Sequence, residues 1–144
     1  MRRSLAFLLP FFATIGITVP LLAHHSYSAE FDANKPQSME GKVTAIEWTN
    51  PHVHVFVDVT DNQGRTTNWK VEVSAPHVLQ RNGWARDTVK PGTDICMEGF
   101  LAKNGTPAFG STSLTLKDSG QVIKTPRGQI TYKGTTSCSN RNAR

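Results

Sequence analysis

Apolar and polar residues alternate with a period of two through most of the chain between Met39 and Ile123. The clearest run is Thr49–Val59, Thr-Asn-Pro-His-Val-His-Val-Phe-Val-Asp-Val. Val53, Val55, Val57 and Val59 fall on one face, and His52, His54, Phe56 and Asp58 on the other. That is the pattern of a strand with one face in a core. Met39–Trp48 reads as the strand before it, with Gly41 as a bend or bulge. Pro51 has no N–H to give to a ladder, so Asn50-Pro51 interrupts the pairing between the two runs.

The same rule predicts further strands at Thr66–Val73, Asp94–Ala102 and Ala108–Leu116, with a weak apolar run at Gln121–Ile123. In Thr66–Val73 it places Trp69, Val71 and Val73 inward, and Lys70 and Glu72 outward. Asp61-Asn62-Gln63-Gly64, Lys90-Pro91-Gly92-Thr93 and Asn104-Gly105 are turn signals between these runs. One short helix is expected from Pro76 to about Arg81. Ser74 is its predicted N-cap, Val78 and Leu79 its buried side, and Asn82-Gly83 its stop. Two turns of helix hold only through packing, for which Trp84 is at hand. The class is therefore all-β and mainly antiparallel. The architecture that fits is a small, curved, OB-like barrel with one short helix. A sandwich is the alternative, because both architectures use half-exposed strands of period two.

The first residues change where this domain is expected to work. Arg2 and Arg3, the apolar stretch Leu5–Leu22 and Ala23 make a secretory signal, removed before His24. The organisation read from the chain is a signal peptide over 1–23, a polar lead-in segment over 24–38, a barrel over 39–124 and a basic, disordered tail over 125–144. The destination is the periplasm or the medium, with no stable membrane anchor after cleavage. The net charge of +5 over the whole chain counts Arg2 and Arg3, and much of what is left sits in the tail. A solvated basic tail accounts for it, and nucleic acid is not an expected partner of an exported protein. Cys96 and Cys138 can pair in an oxidising compartment. Cys138, however, lies in a stretch of Gly, Thr, Ser and Asn that reads as loop, so the pairing stays open. Neither belongs to a Cys-x-x-Cys redox motif.

Export also changes the histidines. Cleavage before His24 frees an α-amine beside its ring, and the two can chelate one Cu(II) ion. His25 can compete, and His52, with His54 as an auxiliary, can complete the donor set. Amine and imidazole in a planar arrangement suit Cu(II) or Ni(II). His52 and His54, at i and i+2, lie about 7 Å apart on one strand face. Asp58 on that face, or Glu30 or Asp32, is a candidate to orient a ring. The structural reading stands beside this one: a His-His terminus binds copper without any built site, and His52 can use its ring to satisfy backbone groups freed at Asn50-Pro51. His77 reads as surface or cap filler. Glu47, Glu72 and Glu98 occur singly on strands and suggest no acid–base pair.

Certain blocks resemble a known family: Ala-His-His-Ser-Tyr-Ser-Ala-Glu-Phe-Asp at 23–32, Glu-Trp-Thr-Asn-Pro-His at 47–52, Asn-Trp at 68–69, Gly-Trp at 83–84 and Lys-Pro-Gly-Thr-Asp at 90–94. Over about residues 23–116 the chain resembles the DUF6152 family of exported bacterial proteins. The resemblance implies an exported β-rich domain and brings no established activity. It places His24, His25 and His52 at motif positions, and His54 where other residues are common. The basic ending with Cys138 departs from the family's usual ending, so the resemblance does not imply the disulfide.

Three functional classes follow. The first is a noncatalytic barrel that binds a small ligand, copper before others, through His24 and His52 with His25 and His54 in support. The second is a module for an envelope glycan, peptide or protein, using the face around Phe56, with Trp48, Trp69, Trp84 and Phe100 as further aromatic candidates. The third is a copper enzyme that activates oxygen, for which the sequence shows no substrate pocket.

Overall fold

A computed structural model describes residues 27–125 and Cys138 of the chain. In chain order the elements are α1 (Tyr27–Glu30), β1 (Phe31–Glu47), β2 (His54–Thr60), β3 (Thr66–Glu72), α2 (Pro76–Arg81), β4 (Asp94–Ala102), β5 (Ala108–Leu116) and β6 (Val122–Lys124). β1 pairs with β2 and β4, β2 with β3, and β4 with β5, all antiparallel. A parallel pairing of Lys70, Val71 and Glu72 with Ala108, Phe109 and Gly110 joins β3 to β5. That last ladder closes five strands into a barrel, with α2 between β3 and β4, the arrangement of an OB barrel. The sandwich alternative is thereby excluded, because the β3–β5 ladder joins the two edges that a sandwich would leave open. β6 lies along β5 beyond the end of β3, from Ser113↔Lys124 to Thr115↔Val122.

The barrel closes because the period-two faces converge on one core. Val53, Val55, Val57, Val71, Val73, Ile95, Met97, Phe109 and Leu114 are all fully buried. Burying a side chain of this size contributes about 2 kcal/mol, so β2 alone commits its valine face firmly inward. Leu79 of α2 and Trp84 close one end of this core. A satellite cluster of Phe31, Phe100 and Ala102, with Tyr27 packed on it, forms around the start of β1.

Several boundaries differ from the pattern. β1 begins at Phe31 rather than Met39, inside the polar stretch read as a lead-in. Its first half pairs only with β4, so Ala33–Gln37 stay in solvent and carry no alternation. Val53 and Val73 flank their strands and exchange backbone bonds with the opposite chain, Val73 N–H donating to Val53 C=O at 2.9 Å. Ala75 rather than Ser74 occupies the N-cap of α2, with no side-chain cap bond. Ser74 is buried instead. Tyr27–Glu30 adds a second single-turn helix that its short length hid from any periodicity argument. Trp69 is half-buried and packs against the core from its expected side.

Cys96 and Cys138 form a disulfide that closes a loop of 42 residues. Ser38 Oγ lies 3.4 Å from Cys138 Sγ. Cys138 is therefore seated on the outer wall of the barrel, where β1 and β4 pair. Residues 1–23, read from the sequence as a signal, fall outside the described residues with His24 and His25, as does most of the tail. Among the described residues no helix is long and apolar enough to cross a membrane.

Candidate functional site

The outward face of β2 and β3 is built by the same register that buries the valines. His54 pairs with Glu47 on β1 and with Glu72 on β3. One row of the barrel wall thus reads Glu47, His54, Glu72. The next row places Phe56 between Ala45 and Lys70, and the one after sets Asp58 opposite Asn68. The Asn50-Pro51 peptide is cis, and His52 follows it directly.

His52 and His54 are brought together around one carboxylate. His52 Nδ1 lies 3.0 Å from Glu72 Oε1. His54 Nε2 lies 3.8 Å from Glu72 Oε2, and His54 Nδ1 lies 3.9 Å from Glu47 Oε2. The Glu72 side chain is 15% exposed and that of His54 18%, against 38% for His52. The two inner groups are shielded by the wall, and the His52 ring meets solvent. An ionised carboxylate only accepts, so the contact at 3.0 Å puts the ring hydrogen on His52 Nδ1. The lone pair of the neutral ring then sits on Nε2. This carboxylate–imidazole arrangement is how a histidine is commonly held for a metal ion.

The other expected residues fall elsewhere. Asp58 lies four residues beyond His54 along β2, about 13 Å away at strand rise. Its Oδ1 accepts from Asn68 Nδ2 at 2.7 Å. It does not orient either ring, and Glu72 and Glu47 take that place. Asp32 is bound locally, its Oδ1 accepting from the Asn34 N–H at 3.2 Å. His77 is exposed on α2. His24 and His25 lie outside the described residues. Among the described residues no three or more His, Cys, Asp or Glu side chains are arranged to hold a metal ion by themselves.

The aromatic residues do not form one platform. Trp84 and Phe100 are buried in different clusters. Trp48 is half-buried, with Trp84 at 6.5 Å and the Arg86 guanidinium 5.8 Å from its ring centre. Of the candidates, Phe56 stays beside the histidines, half-buried on the same face. An open depression lies at the start of β4, lined in part by Lys90, Gly92, Asp94 and Lys117. None of the histidines lines it.

The model of a family of unknown function, DUF6152, matches residues 13–111. The chain belongs to the DUF6152 family. The span common to DUF6152 runs from ahead of α1 into β5, so it holds Tyr27, Glu47, His52, His54, Glu72 and Gly110. Cys138 and β6 lie beyond it. No curated protein matches the chain. The DUF6152 assignment therefore carries no activity, and the chemistry of this face has to be read from its own groups.

Proposed function

We propose that this protein is an exported binding protein that takes up Cu(II), or an ion of similar preference, on the outer face of β2 and β3. His52 and the amino-terminal His24 are the principal donors, with His25 and His54 in support. The observation that carries the reading is the His52 Nδ1–Glu72 Oε1 contact of 3.0 Å. It orients one imidazole with Nε2 as the donor atom on a ring that reaches solvent. The described residues supply only this part of a donor set. The remainder is proposed to come from the amine and ring of His24 after signal removal. The disulfide between Cys96 and Cys138 supports an oxidising destination, the periplasm or the medium. Binding weakens on acidification, because protons compete with the ion for the donor nitrogens.

The test is a calorimetric titration of the processed protein with Cu(II), after intact mass has established that His24 is first. His52→Ala is expected to weaken binding strongly. Equal curves for the two proteins reduce the terminus to an ordinary copper-binding His-His pair. Binding of a glycan or peptide that survives both a chelator and His52→Ala favours the face around Phe56 as the functional surface.

A further inference from the structure

Glu98 is buried on the outer wall of the barrel, although glutamate is almost never buried unless it is paired. Its Oε2 accepts from Ser113 Oγ at 2.9 Å. Its Oε1 is buried with no hydrogen-bond partner. Burying a carboxylate in that state is unfavourable, so the position calls for a reason. Ser38 is the register partner of Glu98 on β1 and stands where a hydroxyl can supply the missing hydrogen. The Ser38 Oγ instead lies 3.6 Å from Cys96 Sγ and 3.4 Å from Cys138 Sγ. Disulfide sulfurs carry no hydrogen, so Ser38 is the donor and a weak acceptor takes its hydrogen.

The disulfide is the neighbour that this charge reaches. Cys96 and Glu98 are two residues apart on β4, so their side chains leave the same face about 7 Å apart. Glu40 is the register partner of Cys96 on β1, which sets a second carboxylate beside that sulfur. The cations of this wall are directed elsewhere. Lys117 Nζ donates to Glu40 Oε2 at 2.7 Å. Lys124, the register partner of Ser113, is exposed two strands away from Glu98. Both cysteines are buried. In thiol–disulfide exchange a thiolate attacks one sulfur, the S–S bond breaks, and its electron pair leaves on the other sulfur as a second thiolate. A fixed negative charge in a shielded setting disfavours both the incoming and the outgoing thiolate.

We propose that Glu98 is an electrostatic guard of the Cys96–Cys138 disulfide and keeps it closed against anionic thiols. The reductant concerned is a monothiol of the glutathione class. Two such thiols act in succession, first forming a mixed disulfide and then resolving it. Their two electrons pass to the cysteine sulfurs, their two protons end on the cysteine thiols, and the reductant leaves as its own disulfide. The unpartnered Oε1 serves this role, because a carboxylate neutralised by a cation repels less. The guard is independent of any metal on the β2–β3 face.

The experiment follows reduction of the oxidised full chain by two thiols of opposite charge, mercaptoethanesulfonate and cysteamine. Each rate is divided by that of a neutral model, hydroxyethyl disulfide, with the same reagent. The native protein is expected to favour cysteamine. Glu98→Gln keeps the shape and removes the charge. It is expected to react about tenfold faster with mercaptoethanesulfonate, the scale of one unit charge at about 7 Å in a partly shielded setting, and to gain less with cysteamine. Near-ultraviolet circular dichroism checks that the variant keeps the barrel. Loosened packing alone would raise both rates by the same factor, and that result overturns the proposal. So does a rate with mercaptoethanesulfonate that Glu98→Gln leaves unchanged. Should Glu98→Gln fail to fold, the native protein decides alone: a preference for cysteamine upholds the guard, and equal normalised rates overturn it.

Discussion

Glu72 Oε1 lies 3.0 Å from His52 Nδ1, while the other oxygen of the same carboxylate faces His54 Nε2 at 3.8 Å. One glutamate on β3 thereby lies between both histidines, within hydrogen-bonding distance of His52 and only in charge range of His54. The rings differ in what they are offered. His52 has the closer contact and the greater exposure. His54 is set between two carboxylates within the wall.

Glu72→Gln removes the charge while keeping shape and one acceptor. The expected result is Cu(II) affinity lower by about tenfold to a hundredfold, the usual effect of losing an orienting carboxylate. Glu47→Gln is expected to have a smaller effect, since its contact at 3.9 Å is with His54. Calorimetric titration of both variants checks the order. Equal losses would mean that His54, not His52, is the principal wall ligand.

Reduction of the Cys96–Cys138 disulfide releases a constraint on a loop of 42 residues. In the chain-entropy picture this destabilises the fold by about 4 kcal/mol. Denaturant melts of the oxidised protein and of Cys138→Ser measure it. The main core is assembled without Cys138, so the variant is expected to fold with a lowered midpoint. An unchanged midpoint contradicts this account of the bond.

Gly99 lies against the Gly110 carbonyl where the β4–β5 register shifts. A Cβ on Gly99 would collide with the Gly110 carbonyl oxygen, which is backbone and has nowhere to yield. Gly99→Ala is therefore expected to destabilise by about 1–3 kcal/mol, the range for overpacking. Val122→Ala, on the exposed side of β6, serves as the control and should stay within about 0.5 kcal/mol of native. Thermal melts of the two variants decide it.

Asp61 organises the turn between β2 and β3. The Arg65 backbone N–H, above all, holds its carboxyl below the ordinary value of 3.8; desolvation opposes it, and the Arg65 guanidinium and the Gln63 N–H add to the lowering. A depressed folded-state pKa stabilises the fold above the unfolded value and is lost as pH falls through the folded one. Asp61→Asn is thus expected to be less stable than native at neutral pH. The difference should shrink below about pH 4. Denaturation midpoints across that range test the sign, and a difference independent of pH contradicts it.

The fold was legible where one face is buried. The valines of β2 and the inward Ile95, Met97 and Leu114 obey period two, and the turn signals at Asp61–Gly64 and Asn104-Gly105 separate the strands correctly. The first half of β1 was not legible, because a strand with a single partner and no buried face carries no alternation. The barrel closure was beyond local pattern too, since β3 and β5 are joined by a parallel ladder between segments far apart in sequence. At the candidate site, alternation with valine is what puts His52 and His54 on one outward face. Alternation marks Glu72 as outward but assigns it no partner. The signal was available: once Thr60 pairs with Thr66 across the turn, counting back six residues on each strand sets His54 opposite Glu72. Asp58 is the nearer candidate by sequence because it shares a strand with the histidines. Along one strand, however, four residues are about 13 Å, whereas a cross-strand neighbour is about 5 Å away.

The role proposed for the His52 ring is that of a metal donor in a chain that begins at His24. Electron paramagnetic resonance of Cu(II) at one equivalent tests it most directly, comparing the native chain with His52→Ala when both begin at His24. The nitrogen hyperfine pattern and the g values are expected to change on removal of the His52 ring, and the native spectrum to show a single species. Superimposable spectra from the two proteins would contradict it.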